Sequence, residues 1–345
     1  MYDAIHAFAD HVAHGVAIGR DGESIPRSRA RRIVILGMGG SAIGGDLLRS
    51  IVASFPDATV DIRVSRGYEP PAVDRSTLLV ASSSSGNTEE TLEAFERTRR
   101  GAGSILVVTT GGELGKIAGR HGYHTILLPS GLQPRAALAY SFFPLAWVLG
   151  VRNHLFGSTV EEAIQTGADE CRALLTQLSR RYGRPTGTAN KARNMAAALA
   201  GRLPVIYSAC DRLDVVNLRW RGQIQENAKS LAFGNLLPEM NHNEINGYGH
   251  PADLVKRVTA IFLRDREDHP RVAARIDASR RIIRRLGGEI LVAESVGEGR
   301  LARIFSLIHL GDWVSYWLAL INGVDPTPVP VIEGLKTELN RRTGT

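Results

Sequence analysis

Short apolar runs of β type alternate with stretches of helical spacing from residue 32 to residue 150. The runs are RIVILG at 32–37, VDIRV at 60–64, TLLVASSS at 77–84, SILVVTT at 104–110 and HTILLPS at 124–130. Between and after them lie AIGGDLLRSIVASF, GNTEETLEAFERTRRG and PRAALAYSFFPLAWVLG, each read as a helix. Strands that alternate with helices lie parallel, and a parallel sheet needs cover on both faces. The pattern restarts with strands LPVIYSA at 203–209, VTAIFLR at 258–264 and EILVAES at 289–295. DRLDVVNLRWRGQIQENAKS, ARIFSLIHLGDWVSYWLALING and a short final segment carrying Lys336 are its helices. Residues 157–200 between the halves read as two rather polar helices, so the boundary belongs there. The expected plan is a helical extension at 1–29, a first domain at 30–155 and a second at 156–345. The extension carries no functional signal.

A chain of 345 residues can bury two cores. Hydrophobic residues make up 43% and charged residues 22%, which fits a soluble globular protein. There is no continuous apolar run of about 18 residues, so no membrane span is expected. The start, MYDAIHAFADHVAHG, has acids and histidines where a signal peptide is basic and then apolar, which predicts a cytoplasmic chain. Cys171 and Cys210, the only cysteines, give neither a disulfide framework nor a metal-ligand spacing. The net charge of +7 favours anions, either phosphorylated metabolites or nucleic acid. The densest basic runs are PRSRARR at 26–32 and ASRRIIRR at 278–285, the second read as a solvated helix face. No zinc-finger spacing or short helix-turn-helix unit accompanies them, so no nucleic-acid partner is expected.

Ligands of parallel sheets bind at the carboxyl ends of the strands. Two glycine- and serine-rich loops lie there. GMGGSAIGGD at 37–46 allows backbone N–H groups to approach an anion at a helix start, with Gly40 and the Ser41 hydroxyl as donors. The same stretch meets the loose dinucleotide pattern. The acid that NAD would need on the second strand is replaced by Arg63 and Arg66, which suit the extra phosphate of NADP. A nicotinamide-dependent oxidoreductase therefore stays open. The second loop, SSSSGNTEET at 82–91, adds Ser83, Ser85 and Thr88. It reads either as a phosphate cradle or as a turn with Thr88 capping a helix whose first turn holds Glu89 and Glu90. A dinucleotide fold has no use for this loop. A sugar phosphate does, because hydroxyls from two adjacent strand ends can share one phosphate.

Together the two loops resemble the sugar isomerase (SIS) fold. More narrowly, they resemble the bifunctional phosphoglucose/phosphomannose isomerases of archaea and bacteria, whose second loop reads SYSGNTEET; Ser84 stands here in place of the tyrosine. Four further stretches extend the likeness: GLQPRAALAY at 131–140, RWRGQIQENAKS at 219–230, LPEMNHNEIN at 237–246 and DPTPVPVIEGLKTELN at 325–340. The resemblance implies two SIS-type domains, each a flavodoxin-like three-layer sandwich. It implies a homodimer with active sites shared across the interface, a sugar-phosphate substrate, and no metal or other cofactor. Aldose–ketose isomerisation needs a carboxylate base, a cation beside the enediolate and a group that opens the sugar ring. By motif position Glu226 is the base and Arg135 the cation. His242, supplied by the second subunit, opens the ring with Lys336. Gly40, Ser41, Ser83, Ser85 and Thr88 hold the phosphate, and Thr327 borders the space in which an enediolate turns about C2–C3.

Read alone, these residues have plainer meanings. Glu226 is a solvated carboxylate paired with Lys229, His242 a capping or interface histidine, and Lys336 an exposed lysine. Arg135 is a lone arginine with few partners at the start of an apolar helix, which favours a negative ligand. Glu239 and Glu244 are rival carboxylates and rank below Glu226. A non-catalytic SIS protein that senses a sugar phosphate would keep the serine loops and could dispense with Glu226 and His242.

Overall fold

The computed structural model describes residues 1–22, 30–186, 189–210 and 212–342. Positions 26–29 of the basic run at 26–32 lie outside the described residues. The first sheet is built from β1 (Arg32–Leu36), β2 (Asp61–Ser65), β3 (Thr77–Ser83), β4 (Ser104–Thr109) and β5 (His124–Leu127). Its strand order is β2-β1-β3-β4-β5, with every pairing parallel. The glycine loop after β1 and the serine loop after β3 therefore open side by side.

Alternation along each strand sorts the core into two layers. Ile33, Ile35, Leu78, Val80, Leu106 and Val108 face one way. Val34, Leu36, Leu79, Ala81 and Val107 face the other, towards Phe95 of α4 (Glu89–Thr98) and Leu114 of α5 (Gly112–His121). All seven residues of β3 are buried, as a central strand covered on both faces requires.

The second sheet contains β6 (Leu203–Ala209), β7 (Phe233–Leu237), β8 (Val258–Arg264) and β9 (Glu289–Glu294), all parallel in the order β7-β6-β8-β9. β7 has no counterpart among the expected strands. Its sequence, FGNLL, has glycine and asparagine inside it and an exposed Phe233, so it carries no clear alternation. Tertiary contact makes it a strand. A Cβ on Gly234 would lie 2.5 Å from the Ile206 carbonyl oxygen, so only glycine permits this approach to β6.

The remaining helices are α1 (Tyr2–His6), α2 (Phe8–Asp21), α3 (Gly39–Val52), α6 (Leu138–Ala146), α7 (Ser158–Tyr182), α8 (Lys191–Leu199) and α9 (Asp214–Ala228). Two single turns, α10 (Glu244–Gly247) and α11 (Ala252–Val255), precede α12 (Pro270–Arg285), α13 (Arg300–Ile321) and α14 (Pro330–Arg342). The helix expected over 134–150 is in three pieces, a 3-10 turn at Pro134–Ala136, α6, and a π-helical stretch at Trp147–Arg152. α12 carries the second basic run on its solvent side and buries Ile276 and Ile283 against the second sheet.

α13 passes the length and hydropathy test for a membrane span, but 83% of that window is buried inside the fold. It packs on α7, α8 and α9 as a central core helix. The N-terminal segment belongs to the same core. Ile5, Phe8, Ala9 and Val12 are buried, and α2 lies against α6 and α7. One apolar cluster runs unbroken from Ile33 and Leu78 of the first sheet through α13 to Ile206 and Ile261 of the second.

His309 sits at the centre of this helix layer. Its Nε2 accepts the Trp313 indole N–H at 3.0 Å and lies 2.9 Å from the Ser179 hydroxyl, while Nδ1 is buried without a partner. Burial first, then the nearby His6 and Arg219, lower its pKa from 6.5 to about 3. The sign follows from linkage. Above pH 6.5 the group is neutral in both states. Below it, the unfolded chain takes up a proton that the folded chain refuses until about pH 3. Stability should therefore fall on acidification through that window, by about 1.4 kcal/mol per pH unit from this group. Urea unfolding between pH 7 and 4 checks this, and His309→Gln should flatten the slope by that amount.

Candidate active site

The residues that form the site are delivered by α9, and α9 is fixed by α13. The Trp220 indole N–H donates to the Leu307 carbonyl oxygen at 2.9 Å. Gly311 permits this contact, since a Cβ there would lie 2.4 Å from Trp220 Nε1. Beside this contact, Arg219 donates through Nη2 to both oxygens of Asp312 at 2.9 Å, and Gln223 Nε2 donates to the same carboxylate at 2.7 Å. Arg219 and Asp312 are buried at 4% and 5% side-chain exposure, so this is a desolvated pair with added hydrogen bonds. Asn227 Nδ2 donates to the Ser315 hydroxyl at 2.9 Å. The residues at helical spacing on one side of RWRGQIQENAKS are thereby spent on anchorage, and Glu226 is left at the edge.

Glu226 is 35% exposed, and its carboxylate lies 3.7 Å from Nη1 of Arg135, which is buried. Lys229 is not its partner. The Lys229 ammonium donates to the Glu226 backbone oxygen at 2.7 Å and leaves the carboxylate free of it.

Arg135 corrects an expectation, because it is not short of partners. Its Nε donates to Asn227 Oδ1 at 2.7 Å and its Nη1 to Gln133 at 3.3 Å. Its Nη2 donates to the carbonyls of Pro326 and Thr327 at 2.7 and 2.6 Å. Burial lowers its pKa, while Glu226 and Asp325 oppose the shift. The Thr327 carbonyl thus meets the arginine beside Glu226, at the segment that leads into α14.

The glycine loop reaches the same place. A Cβ on Gly40 would lie 2.5 Å from the Pro134 carbonyl oxygen, so the Gln133–Ala136 turn is pressed directly on the loop. A cleft of about 160 Å³ opens between them, lined by Gly39, Gly40, Arg66, Arg135, Gln223 and Glu226 among others. Arg66 is held by the buried Asp46, and Arg63 by Asp61 at 2.9 Å, so neither arginine suggested for an NADP phosphate is without an internal partner.

Ser41 ties the two loops together, its Oγ accepting the Ser84 N–H at 3.2 Å. In the second loop Ser83 Oγ and Thr88 Oγ1 lie 2.9 Å apart, and Ser85 Oγ accepts the Asn87 N–H at 3.2 Å. Thr88 occupies the capping position of α4 but makes no side-chain cap bond. Its hydroxyl turns to Ser83 instead. Gly86 has φ of 68°, and a Cβ there would fall 1.9 Å from the Gly111 carbonyl oxygen, which fixes glycine at the turn.

Of the expected residues, Gly40, Arg135 and Glu226 line the cleft, whereas Ser41, Ser83, Ser85, Thr88, Thr327, His242 and Lys336 do not. His242 lies exposed in the turn after β7, and Lys336 lies exposed on α14. Of the rival carboxylates, Glu239 is exposed and accepts from Asn243 at 2.8 Å. Glu244 is clamped by Tyr207 and Asn235. Asp312, Asn227 and Tyr207 escaped sequence reasoning, since a buried polar residue inside an apolar run gives no periodic signal. No group of three or more His, Cys, Asp or Glu that could hold a metal occurs among the described residues.

Residues 188–339 match the family model for the bacterial phospho-glucose isomerase C-terminal SIS domain. The chain is 39% identical to the bifunctional phosphoglucose/phosphomannose isomerase of Caldicellulosiruptor bescii, over 98% of each chain. It belongs to that family. Another family relative, the D-glucosamine-6-phosphate 4-epimerase of Sulfolobus acidocaldarius, is 33% identical over 72% of this chain and 76% of its own. At the level of fold alone, the C-terminal domain of glucosamine-fructose-6-phosphate aminotransferase from Francisella tularensis superposes with a TM-score of 0.74. The identity is 15%, with 94% of this chain and 97% of that one covered. The family's two SIS-type α/β layers are thus the architecture of this chain.

Proposed function

We propose that this chain interconverts glucose 6-phosphate, fructose 6-phosphate and mannose 6-phosphate by moving a proton between C1 and C2 through an enediolate. The observation that carries the proposal is the Glu226 carboxylate 3.7 Å from the buried Arg135 at a glycine-lined cleft. Ser41, Ser83, Ser85 and Thr88 hold the phosphate beside it, with Gly40 as a backbone donor. His242 and Lys336 open the ring by passing a proton from the anomeric hydroxyl to the ring oxygen. Glu226 takes the proton from C2 of the aldose and returns it to C1. Arg135 stabilises the enediolate oxygens. If the enediolate turns about C2–C3 beside Thr327, the other face of C2 is reprotonated and mannose 6-phosphate forms.

The working unit in this proposal is a homodimer with shared sites, in the cytoplasm, each chain divided near residue 155. His242 does not line the cleft of its own chain. Apolar side chains stand uncovered near that opening, with Val331 84% and Leu231 67% exposed beside Glu226. A second copy that covers them and brings in its histidine accounts for both. Mixing Glu226→Gln with His242→Ala and allowing subunits to exchange should then restore about a quarter of wild-type activity, since half the dimers would hold one intact site. No recovery, with exchange shown by mass, would mean that each site is complete within one chain.

The primary test is turnover of fructose 6-phosphate with EDTA present, with glucose and mannose 6-phosphates resolved. Both products are expected. Glucose 6-phosphate alone would remove the second activity. Binding without turnover would favour a sensor. A 4-epimer formed from glucosamine 6-phosphate, with fructose 6-phosphate untouched, would replace the isomerase with the chemistry named for the Sulfolobus relative.

A further inference from the structure

Four consecutive residues, Asn241, His242, Asn243 and Glu244, lead from the turn that follows β7 into α10. Three of their side chains are spent on the protein itself. Asn241 Nδ2 donates to the Ser279 hydroxyl on α12 at 2.7 Å. Asn243 accepts the Glu244 N–H at 2.6 Å and donates to Glu239 at 2.8 Å. Glu244 reaches inward. Its Oε1 accepts the Tyr207 hydroxyl at 2.5 Å and its Oε2 accepts Asn235 Nδ2 at 2.6 Å. His242 and Asn243 are both exposed, but the His242 side chain alone has no hydrogen-bond or ion-pair partner among the described residues.

The Glu244 anchor is rigid. Tyr207 is fully buried in β6, and its oxygen lies 2.7 Å from the hydroxyl of the buried Tyr248. A phenol has one proton to give. Tyr207 gives it to Glu244, so Tyr248 must donate to Tyr207. Burial raises both phenols, Tyr248 to about 12, so each keeps the proton that this order requires. Asn235 is fixed in turn, because Asn217 Nδ2 donates to its carbonyl oxygen at 3.1 Å and to that of Ile206 at 2.9 Å. The chain Tyr248–Tyr207–Glu244 thus links β6, and the buried residue that ends α10, to the residue two positions beyond His242.

We propose that Glu244 is a positioning residue for ring opening, holding the turn so that the His242 imidazole is presented in a single orientation. This rests on the isomerase function proposed above. Alanine in place of the glutamate removes the acceptor of both Tyr207 and Asn235, without the donor that an amide would offer the Tyr207 oxygen. The turn then loses an anchor and His242 its orientation. Glu226, Arg135 and the serine loops are untouched.

The test separates ring opening from proton transfer. Fructose 6-phosphate must be opened. 5-Deoxyfructose 6-phosphate lacks the hydroxyl needed to close a furanose, and its 6-oxygen carries the phosphate, so it stays open. Exchange of the C1 proton with solvent deuterium, read by NMR, reports enediolate formation from either compound. Glu244→Ala should slow exchange from fructose 6-phosphate by about tenfold or more, as misplacement of a catalytic group does. Exchange from the open analogue should stay within about twofold of wild type. His242→Ala should show the same split. Tyr207→Phe removes only the hydroxyl and should show the same split, so the proposal remains testable if Glu244→Ala folds poorly. Equal slowing on both compounds, or no slowing on either, overturns the positioning role. If wild type exchanges neither compound, the isomerase function itself falls and takes this role with it.

Discussion

Glu226→Gln is expected to lower kcat on fructose 6-phosphate by about 100- to 10,000-fold, the range for loss of a general base. KM should change far less, because the proposed phosphate donors are on loops after β1 and β3 that Glu226 does not support. The glutamine is nearly isosteric, and the residues that anchor α9 are untouched: Arg219, Trp220, Gln223 and Asn227 keep their partners. Steady-state kinetics with a coupled assay, together with binding of a non-reacting sugar phosphate to the variant, measure the two halves of this expectation. A variant with full kcat would remove Glu226 from the mechanism.

Asp312→Ala should produce the largest loss of stability, about 3–5 kcal/mol, the cost of leaving a buried charge without its partner. It strands the Arg219 guanidinium at 4% side-chain exposure and removes the acceptor of Gln223. Arg219 Nη2 also donates to the Arg135 carbonyl oxygen at 3.0 Å. A displaced Arg219 therefore disturbs both Glu226 and Arg135, and kcat should fall with stability. Urea unfolding of this variant beside the double variant Arg219→Met, Asp312→Leu separates the contributions. The double variant removes both charges and should recover most of the lost stability. Failure to recover would mean that packing, not the stranded charge, dominates the single variant.

Much of the architecture was legible because a buried parallel strand prints its own signature. LPVIYSA and VTAIFLR mark β6 and β8 to the residue, and TLLVASSS marks β3 within one. FGNLL gave no such print, since an edge strand with one neighbour needs no continuous apolar run. The length of α13 was visible, but its place at the centre of the fold was not, as hydropathy reports that a helix avoids water and not what covers it. At the candidate site the glycine and serine loops were visible from composition, because close backbone approach requires glycine and hydroxyl donors cluster. Glu226, His242 and Lys336 were singled out only through the family resemblance. No local pattern distinguishes Glu226 from a solvated helix acid, and its nearness to Arg135 bridges about a quarter of the chain. The partners of Arg135 were invisible for the same reason. Two are carbonyl oxygens near the far end of the chain, and any residue supplies a carbonyl.

The unbroken apolar cluster through α13 has a mechanical consequence. Where two units meet at a small polar boundary, they can rock about a linker and close on a ligand. Here such rocking would pull apart α13 and the helices packed on it, so the cleft has no hinge behind it. What can move cheaply is at the rim: the segment at 325–329, held to Arg135 by two backbone oxygens, and α14 beyond it. A sugar phosphate that competes for those guanidinium donors would loosen the chain's own end, and ligand admission would be governed by a small latch on a stiff body.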